Sequence, residues 1–332
     1  FSLLAEAEGT LAIDESYNSG VNGKALFPLV GDPENVELNR LQLQYRGLPK
    51  TVVTVGRQRI NLDDQRFVGS VGWRQNDQTL DAVRVTARPV KGSSVDYLYA
   101  WRVNRVFGPD SPQGIWRDTE IHAVRAAYTI KNVGALSAYG YWLDIPSQPS
   151  SSSRTLGVRM AGELSVGGKS TFLYAAEYAR QHDHGANPRS FGLDYWLIEP
   201  GVKTGPLTFK AGYERLEGNG TVGLQTPLAT LHAFNGWADK FLTTPANGLR
   251  DAYLDASYKV PGMGALTGLT LRAAWHDYGS TVGGIAYGRE WNALASYPLD
   301  KRFTLTAKLA RYEADAFATD TTKLWFQVEA KF

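Results

Sequence analysis

Residues 321–332, at the end of the chain, alternate between apolar and polar side chains with a period of two. Because successive side chains of a β-strand point to opposite faces, this stretch predicts a strand with one apolar face and one mostly charged face. Trp325 is the exception, since it falls on the charged parity. The apolar parity holds Leu324, Phe326, Val328, Ala330 and Phe332, and the other parity holds Lys323, Gln327, Glu329 and Lys331.

The same alternation recurs in sixteen segments, which short turns and long loops connect in turn. Strands of about 9 to 11 residues with one apolar face are what a tilted crossing of a membrane requires. The opposite face carries full charges, for example Asp96 and Arg102, which suit a water-filled lumen better than a dry core. Residues 1–332 are therefore predicted to form a single all-β domain. Its expected fold is a transmembrane up-and-down antiparallel β-barrel of about 16 strands, with about 18 possible, short periplasmic turns and long extracellular loops.

Composition argues against several other classes of protein. The chain has no run of 18 apolar residues that could span a bilayer as a helix, and its lack of Cys removes thiolate metal sites and disulfides. A net charge of +2 is too small to indicate a nucleic-acid partner. A soluble β-propeller or β-solenoid would need an internal repeat of about 40 to 50 residues, and the sequence contains none. The 17 Tyr and 9 Trp suit the aromatic belts of a membrane barrel.

Two stretches of the chain resemble a known family of outer-membrane barrels, the alginate export porins. The first stretch consists of 55–59 (VGRQR), 64–69 (DQRFVG), 73–75 (WRQ) and 79–84 (TLDAVR), and the second of 225–241 (QTPLATLHAFNGWADKF) and 244–251 (TPANGLRD). The resemblance implies a barrel in the bacterial outer membrane, in contact with the lipid bilayer and lipopolysaccharide. It also implies a lumen lined by arginines that pass a polyanionic polysaccharide.

Basic residues on the polar parity are the predicted substrate-binding residues. Arginine makes up 22 of the 35 basic residues, and its planar fork binds carboxylates through two parallel hydrogen bonds. The candidates are Arg40, Arg57, Arg59, Arg84, Arg102, Arg125, Arg159, Arg272, Lys210 and Lys259, with Arg57 and Arg59 placed in the lumen by the resemblance. Acidic residues share this face, so the basic residues could instead form ion pairs with them across the strands.

Two loops are predicted to narrow the pore. The longer, 218–250, is rich in apolar residues, which favours folding into or over the pore rather than a disordered tip. Its predicted constriction residues are His232, Asn235, Trp237, Asp239 and Lys240. The second loop, 61–77, contributes Asp64, Arg66 and Arg74.

These features predict an anion-selective channel of a Gram-negative outer membrane rather than an enzyme. The expected solutes are acidic saccharides or polyuronates such as alginate; the alternative is a general or small-carboxylate diffusion porin for nutrient uptake. No cofactor or metal is expected, although His182 and His184 flank a carboxylate. Periplasmic export or uptake partners remain possible, and a barrel enzyme or adhesin is the alternative class.

Overall fold

The computed structural model describes residues 1–13, 16–27, 29–262 and 264–332. Within them the chain forms one antiparallel sheet of 17 strands and two short 3-10 turns, Pro149–Ser151 and Leu231–Ala233. The strands are β1 (Ser2–Thr10), β2 (Asn35–Tyr45), β3 (Thr51–Gln58), β4 (Thr79–Ala87), β5 (Ser93–Asn104), β6 (Ile115–Trp116), β7 (Glu120–Ile130), β8 (Gly134–Asp144), β9 (Ser153–Ser165), β10 (Ser170–Asp183), β11 (Gly192–Thr204), β12 (Leu207–Leu216), β13 (Leu249–Lys259), β14 (Thr270–Gly279), β15 (Ala286–Pro298), β16 (Phe303–Ala314) and β17 (Thr321–Ala330). None of the described residues belongs to a helix long and apolar enough to cross a membrane.

The strands follow one another around the sheet in chain order. Each long strand pairs with the next, and β5 pairs with both β6 and β7. The count of 17 corrects the predicted figure of about 16 and its alternative of 18. The additional strand, β6, has only two residues, Ile115 and Trp116, which pair back onto the end of β5. Two residues are too few to show an alternation, so the sequence pattern contained no sign of it.

The two faces of the sheet differ in the way that the alternation predicts. Exposed large apolar side chains occupy one face, and charged or hydroxyl side chains are buried on the other. The exposed set includes Leu43, Tyr97, Val124, Leu156, Phe172, Trp196, Phe209, Leu254, Leu271, Trp291, Leu305 and Phe326, and the buried set includes Asp96, Ser137, Glu177, Glu214, Asp255, Glu290 and Lys308. A soluble monomer rarely exposes so continuous an apolar surface, whereas a barrel in lipid requires one.

Tight turns join the hairpins at the edge of the sheet that holds both chain ends. Between β9 and β10, for instance, Gly167 and Gly168 both have positive φ, 99° and 57°. Two such residues in succession match the twist of the flanking strands, and glycine adopts them without steric cost. The opposite edge carries the longer connections.

Two of those longer connections fold back into the space that the sheet encloses. Residues 59–78, between β3 and β4, are here named loop A, and residues 217–248, between β12 and β13, are named loop B. The predicted range 218–250 for loop B therefore includes the first two residues of β13. Phe67 of loop A packs on Tyr139 and Tyr195, and Phe241 of loop B packs on Tyr278. These tyrosines lie on β8, β11 and β14, so distant strands face one interior.

Candidate functional site

Most of the basic residues predicted to bind substrate lie next to a carboxylate. Nine of the ten form such pairs: Arg40 with Glu6, Arg57 and Arg102 with Asp81, Arg59 with Glu6 and Asp77, Arg84 with Asp96, Arg125 with Asp63, Arg159 with Glu177 and Asp64, Arg272 with Asp255, and Lys210 with Glu199. Lys259, the tenth, is the exposed last residue of β13, and no ion pair joins it to a described residue. The lumen wall is thus an array of ion pairs rather than a surface of free cations.

Pairing leaves Arg272 and Lys210 with donors that can still reach a solute. The Arg272 Nε donates to Asp255 Oδ2 at 2.6 Å, yet 44% of the arginine side chain stays exposed. The Lys210 Nζ lies 2.8 Å from Glu199 Oε1, with 36% of the side chain exposed. A guanidinium has five N–H donors and an ammonium has three, so one carboxylate does not satisfy either group.

A cavity of about 480 Å³, named the inner cavity, lies beside these two residues. Trp237 of loop B also lines it, and the Arg272 guanidinium carbon is 5.3 Å from the centre of the indole ring. Both signs of charge line the cavity: Arg159, Lys210, Arg272 and His276 with Asp64, Glu199, Glu214, Asp251 and Asp255. The inner cavity therefore combines exposed cationic donors, an aromatic ring and carboxylates in one lumen space.

Arg66 joins loop A to loop B and to the wall. Its Nε donates to Glu214 Oε1 of β12 at 2.7 Å, and its Nη2 donates to Asn235 Oδ1 of loop B at 3.1 Å. Asn235 in turn donates to Asp251 at 3.0 Å. The Arg66 side chain is only 2% exposed. Burial lowers its pKa, but the Glu214 carboxylate and Tyr195 outweigh that effect and raise the pKa above its usual value, so Arg66 is a permanently charged tie between the two loops.

Asp239 of loop B pairs with two cations and a histidine. Its carboxylate lies 2.9 Å from Arg74 of loop A, 3.3 Å from Lys323 of β17 and 2.7 Å from His232 Nδ1. Burial raises the pKa of Asp239, but His232, Arg74 and Lys323 reverse that effect and hold the pKa well below its usual range. Loop B is thus fixed to loop A by the Arg74–Asp239 ion pair and by the hydrogen bond from Arg66 to Asn235.

His232 is held as a neutral imidazole within this cluster. Burial lowers its pKa to about 4, because the cost of removing the imidazolium from water exceeds the attraction of Asp239. The neutral ring donates from Nδ1 to Asp239 and accepts at Nε2 from Lys308 Nζ, which lies 2.6 Å away. His232 therefore relays a hydrogen-bond chain from loop B to β16.

Lys308 lies among three indole rings. Its Nζ is 3.8 Å from the ring centre of Trp73, 4.0 Å from that of Trp237 and 5.4 Å from that of Trp325. This arrangement explains why Trp325 falls on the charged parity: it points into the lumen and supports a buried cation. The sequence pointed to this cluster through the parity of Trp325 and through Trp237, a predicted constriction residue, whereas Trp73 was noted only within the 73–75 motif.

Lys240 lies outside the inner cavity, as do His232 and Asp239. Its Nζ is 5.6 Å from the ring centre of Tyr312, on the wall at β16. Burial and the nearby charge of Lys323 lower its pKa. Lys240 thus packs loop B against the wall, while Asn235 and Trp237 line the inner cavity.

The residues around His182 have a local structural role in the connection between β10 and β11. His182 Nδ1 lies 3.2 Å from the Phe191 carbonyl, and Asp183 accepts hydrogen bonds from Ser190 Oγ and the Phe191 amide. Within the part of the chain that the structure describes, no group of three or more His, Asp or Glu side chains could hold a metal ion.

Several solved structures share this architecture. OpdK of Pseudomonas aeruginosa, described as an outer membrane protein, matches at 15% identity with a TM-score of 0.67 and covers 87% of this chain and 79% of that one. A structure of OpdK with vanillate matches at 16% identity, TM-score 0.68, over 87% of this chain and 78% of that one. OccAB1 of Acinetobacter baumannii matches at 16% identity, TM-score 0.69, over 87% and 75%.

These similarities define the fold: the chain has the β-barrel fold of those outer-membrane proteins. No family model matches the chain, and no curated protein matches it. The resemblance of 55–84 and 225–251 to the alginate export porins is therefore not supported, and neither is the export of alginate or another polysaccharide. The strand pattern thus predicted the fold, whereas the substrate inferred from these two stretches has no support from the similarities found.

Proposed function

We propose that this chain is an outer-membrane channel that passes small carboxylates through its lumen without covalent chemistry. The observation that carries the proposal is the inner cavity, which is lined by exposed donors of Lys210 and of Arg272, the latter next to the Trp237 ring. Such a site offers a carboxylate charge-assisted hydrogen bonds and offers an attached apolar group a flat aromatic surface. This is the small-carboxylate alternative that the sequence left open, rather than the polyuronate channel.

The size of the inner cavity and the fixed loops favour a small solute over a polymer. Binding sites for single small molecules measure about 300 to 1,000 Å³, and the inner cavity of about 480 Å³ falls in that range. Loops A and B are joined by the buried Arg74–Asp239 ion pair and by a hydrogen bond from Arg66 to Asn235, and Arg66 is also paired with Glu214 of the wall. A polysaccharide strand would have to break these contacts, which is costly because it would leave buried charges unpaired.

The ion pairs of the wall support passage rather than tight binding. A solute carboxylate that reaches Arg272 competes with Asp255, so one carboxylate replaces another and the net gain is small. Conduction needs sites that bind strongly enough to admit a solute and weakly enough to release it. The other paired arginines, from Arg40 to Arg159, would extend this exchange along the wall.

A related fold provides an independent reason to expect an aromatic acid. OpdK was solved with vanillate, an aromatic carboxylate. The exposed apolar face of the sheet would lie against the lipid bilayer and lipopolysaccharide of a Gram-negative outer membrane. Loops A and B would then constrict the pore, and any periplasmic partner would meet the edge that holds the tight turns.

Planar-bilayer electrophysiology tests the proposal. We expect a reversal potential that indicates anion preference in a salt gradient, and current block by benzoate and vanillate at lower concentrations than by a tetragalacturonate. Arg272→Gln should weaken the benzoate block by about tenfold, because it removes a charged donor and leaves the Asp255 carboxylate unpaired, where it repels the solute.

Arg311→Gln is the matched control, because Arg311 lies on β16 with 63% of its side chain exposed and, among the described residues, forms an ion pair only with Glu313. It should leave selectivity and block unchanged. Cation preference in the wild-type channel, or block by the oligouronate alone, would contradict the proposal.

A further inference from the structure

A second cavity, of about 440 Å³, lies at the edge of the barrel that carries the long connections. It is named the outer cavity. Four connections supply its walls, and two arginines, Arg105 and Arg189, line it from different connections. No Asp or Glu occurs among its described lining residues, whereas five line the inner cavity. The outer cavity is thus positively charged without local compensation.

Arg105 is the central feature of this cavity. Its guanidinium carbon lies between two rings, 4.5 Å from the centre of Trp116 and 4.9 Å from that of Phe107. Its Nη1 makes one long hydrogen bond, 3.4 Å, to the Gln113 carbonyl, and its buried Nε has no partner among the described residues. Burial lowers its pKa to about 10, so the group stays charged at neutral pH. The aromatic rings fix the guanidinium in place but leave its hydrogen-bonding capacity unused.

Trp116 provides a second, independent donor at the same place. The residue is only 3% exposed, it lines the outer cavity, and its Nε1 has no hydrogen-bond partner within the described parts of the chain. Buried N–H groups in proteins nearly always have an acceptor. An acceptor that reached both Trp116 and Arg105 would satisfy two buried donors at once.

The walls of the outer cavity are held by hydrogen bonds of their own. Asn187 Nδ2 donates to the Ser152 carbonyl at 2.7 Å, and Gln225 Nε2 donates to the Thr244 carbonyl at 2.9 Å. The first bond joins two neighbouring connections and the second joins two parts of loop B, and both use polar groups that could otherwise compete for Arg105. A site with walls fixed in this way loses little entropy when a ligand binds.

We infer that the outer cavity is a second binding site, for a small carboxylate with an apolar body. The carboxylate would accept hydrogen bonds from Arg105 and Trp116, with Arg189 adding charge at the open side. The apolar body would rest on Val222, Leu231 and Leu242, which also line the cavity. The site is separate from the inner cavity, so it stands whether or not the lumen conducts carboxylates.

Fluorine NMR of protein labelled with 5-fluorotryptophan tests the inference. The chain has 9 Trp, and Trp116→Phe assigns the resonance of Trp116 while Trp237→Phe assigns a reporter of the inner cavity. We expect benzoate to shift the Trp116 resonance to saturation. Benzamide, which has the same shape without the charge, should bind at least tenfold more weakly, and acetate should bind several-fold more weakly because it lacks the apolar body.

Substitutions then distinguish benzoate binding in the outer cavity from binding in the inner cavity. Arg105→Gln should weaken the benzoate titration of Trp116 at least tenfold, while Arg272→Gln should leave it unchanged and alter the Trp237 titration instead. If Arg105→Gln does not fold, Arg189→Gln, at an exposed position, should weaken the Trp116 titration about threefold. A Trp116 resonance that benzoate does not move, equal shifts by benzoate and benzamide, or an unchanged affinity in the foldable variant would overturn the inference.

Discussion

The inner and outer cavities differ in charge, although loop B lines both of them. Residues 233–237 of the loop face the inner cavity, and residues 221–231 and 242–246 face the outer one. In the inner cavity each exposed cation already has a carboxylate partner, such as Asp255 for Arg272. In the outer cavity Arg105 has none among the described residues. An arginine with a carboxylate partner can therefore exchange a solute, whereas an arginine without such a partner can retain it.

Removing Arg66, which joins loop A to loop B and to β12, should have the largest effect. Arg66→Met leaves Glu214 buried without its ion-pair partner, and breaking a buried pair in this way costs about 3 to 5 kcal/mol. We expect the urea midpoint of the protein in lipid vesicles to fall accordingly, with larger and noisier single-channel currents because loop B loses its anchor.

A double variant distinguishes the ion pair from general packing. Arg66→Met with Glu214→Met removes both charges and should recover part of the lost stability, since no buried charge is left unpaired. Arg311→Gln, at an exposed pair, should cost less than about 1 kcal/mol. A double variant that is as unstable as the sum of the two single variants would show that the charges are not the cause.

Acid should destabilise the attachment of loop B to the wall through His232. Its folded-state pKa of about 4 lies below the ordinary value of 6.5, so the unfolded chain takes up a proton in this interval and the folded chain does not. Stability is therefore complete above about pH 6.5 and declines as the pH falls toward 4. From these pKa values the loss at pH 5 is on the order of 2 kcal/mol.

Urea titrations at pH 7 and pH 5 measure this loss. His232→Gln should show a smaller difference between the two pH values than the wild type, because the group that titrates is gone. His184→Gln, a loop histidine outside the cluster, should show the wild-type difference. The role of His232 would be refuted if the His232 and His184 variants gave the same pH dependence.

The fold could be predicted from the sequence because it depends on local alternation. Tyr97 and Phe326 point outward, and Asp96 points inward, as their parity predicts. The short strand β6 could not be predicted, because Ile115 and Trp116 pair through backbone geometry that a loop adopts only in the folded protein. An alternation with a period of two can be recognised within one strand, whereas the pairing of two residues with another strand cannot.

The site was less predictable, since its contacts join residues far apart in the chain. Parity placed Arg125 and Arg159 among the lumen residues, but their partners Asp63 and Asp64 lie on a loop whose path no periodicity describes. For the same reason nothing in the sequence distinguished Arg105, which has no carboxylate partner among the described residues, from the paired arginines. Whether a basic side chain has a carboxylate partner depends on the three-dimensional arrangement. Counting basic residues in the sequence therefore overestimated the number of free cations.

Releasing Arg272 from its partner should make the inner cavity resemble the outer one. In Asp255→Asn the arginine keeps its position but loses the competing carboxylate at 2.6 Å. We expect benzoate to block the current about tenfold more strongly and to leave more slowly, since the gain of a charge-assisted bond is no longer offset. Asp277→Asn changes the net charge equally, but the partner of Asp277 is the mostly exposed Arg289, so its block should match the wild type. Equal strengthening in both variants would point to net charge rather than to Arg272.

Adding a carboxylate beside Arg105 should make the outer cavity resemble the inner one. Of the changes considered, this one should have the smallest effect. Gln113 lines the outer cavity and its carbonyl already accepts a hydrogen bond from Arg105. Gln113→Glu adds a carboxylate at that position, and an exposed ion pair contributes about 0 to 1 kcal/mol. Benzoate should then bind about threefold more weakly by the Trp116 fluorine resonance, while Gln113→Lys should bind it more tightly. Because Gln113→Glu and Gln113→Lys change the charge in opposite directions, affinities that changed in the same direction would rule out charge compensation as the property that separates the cavities.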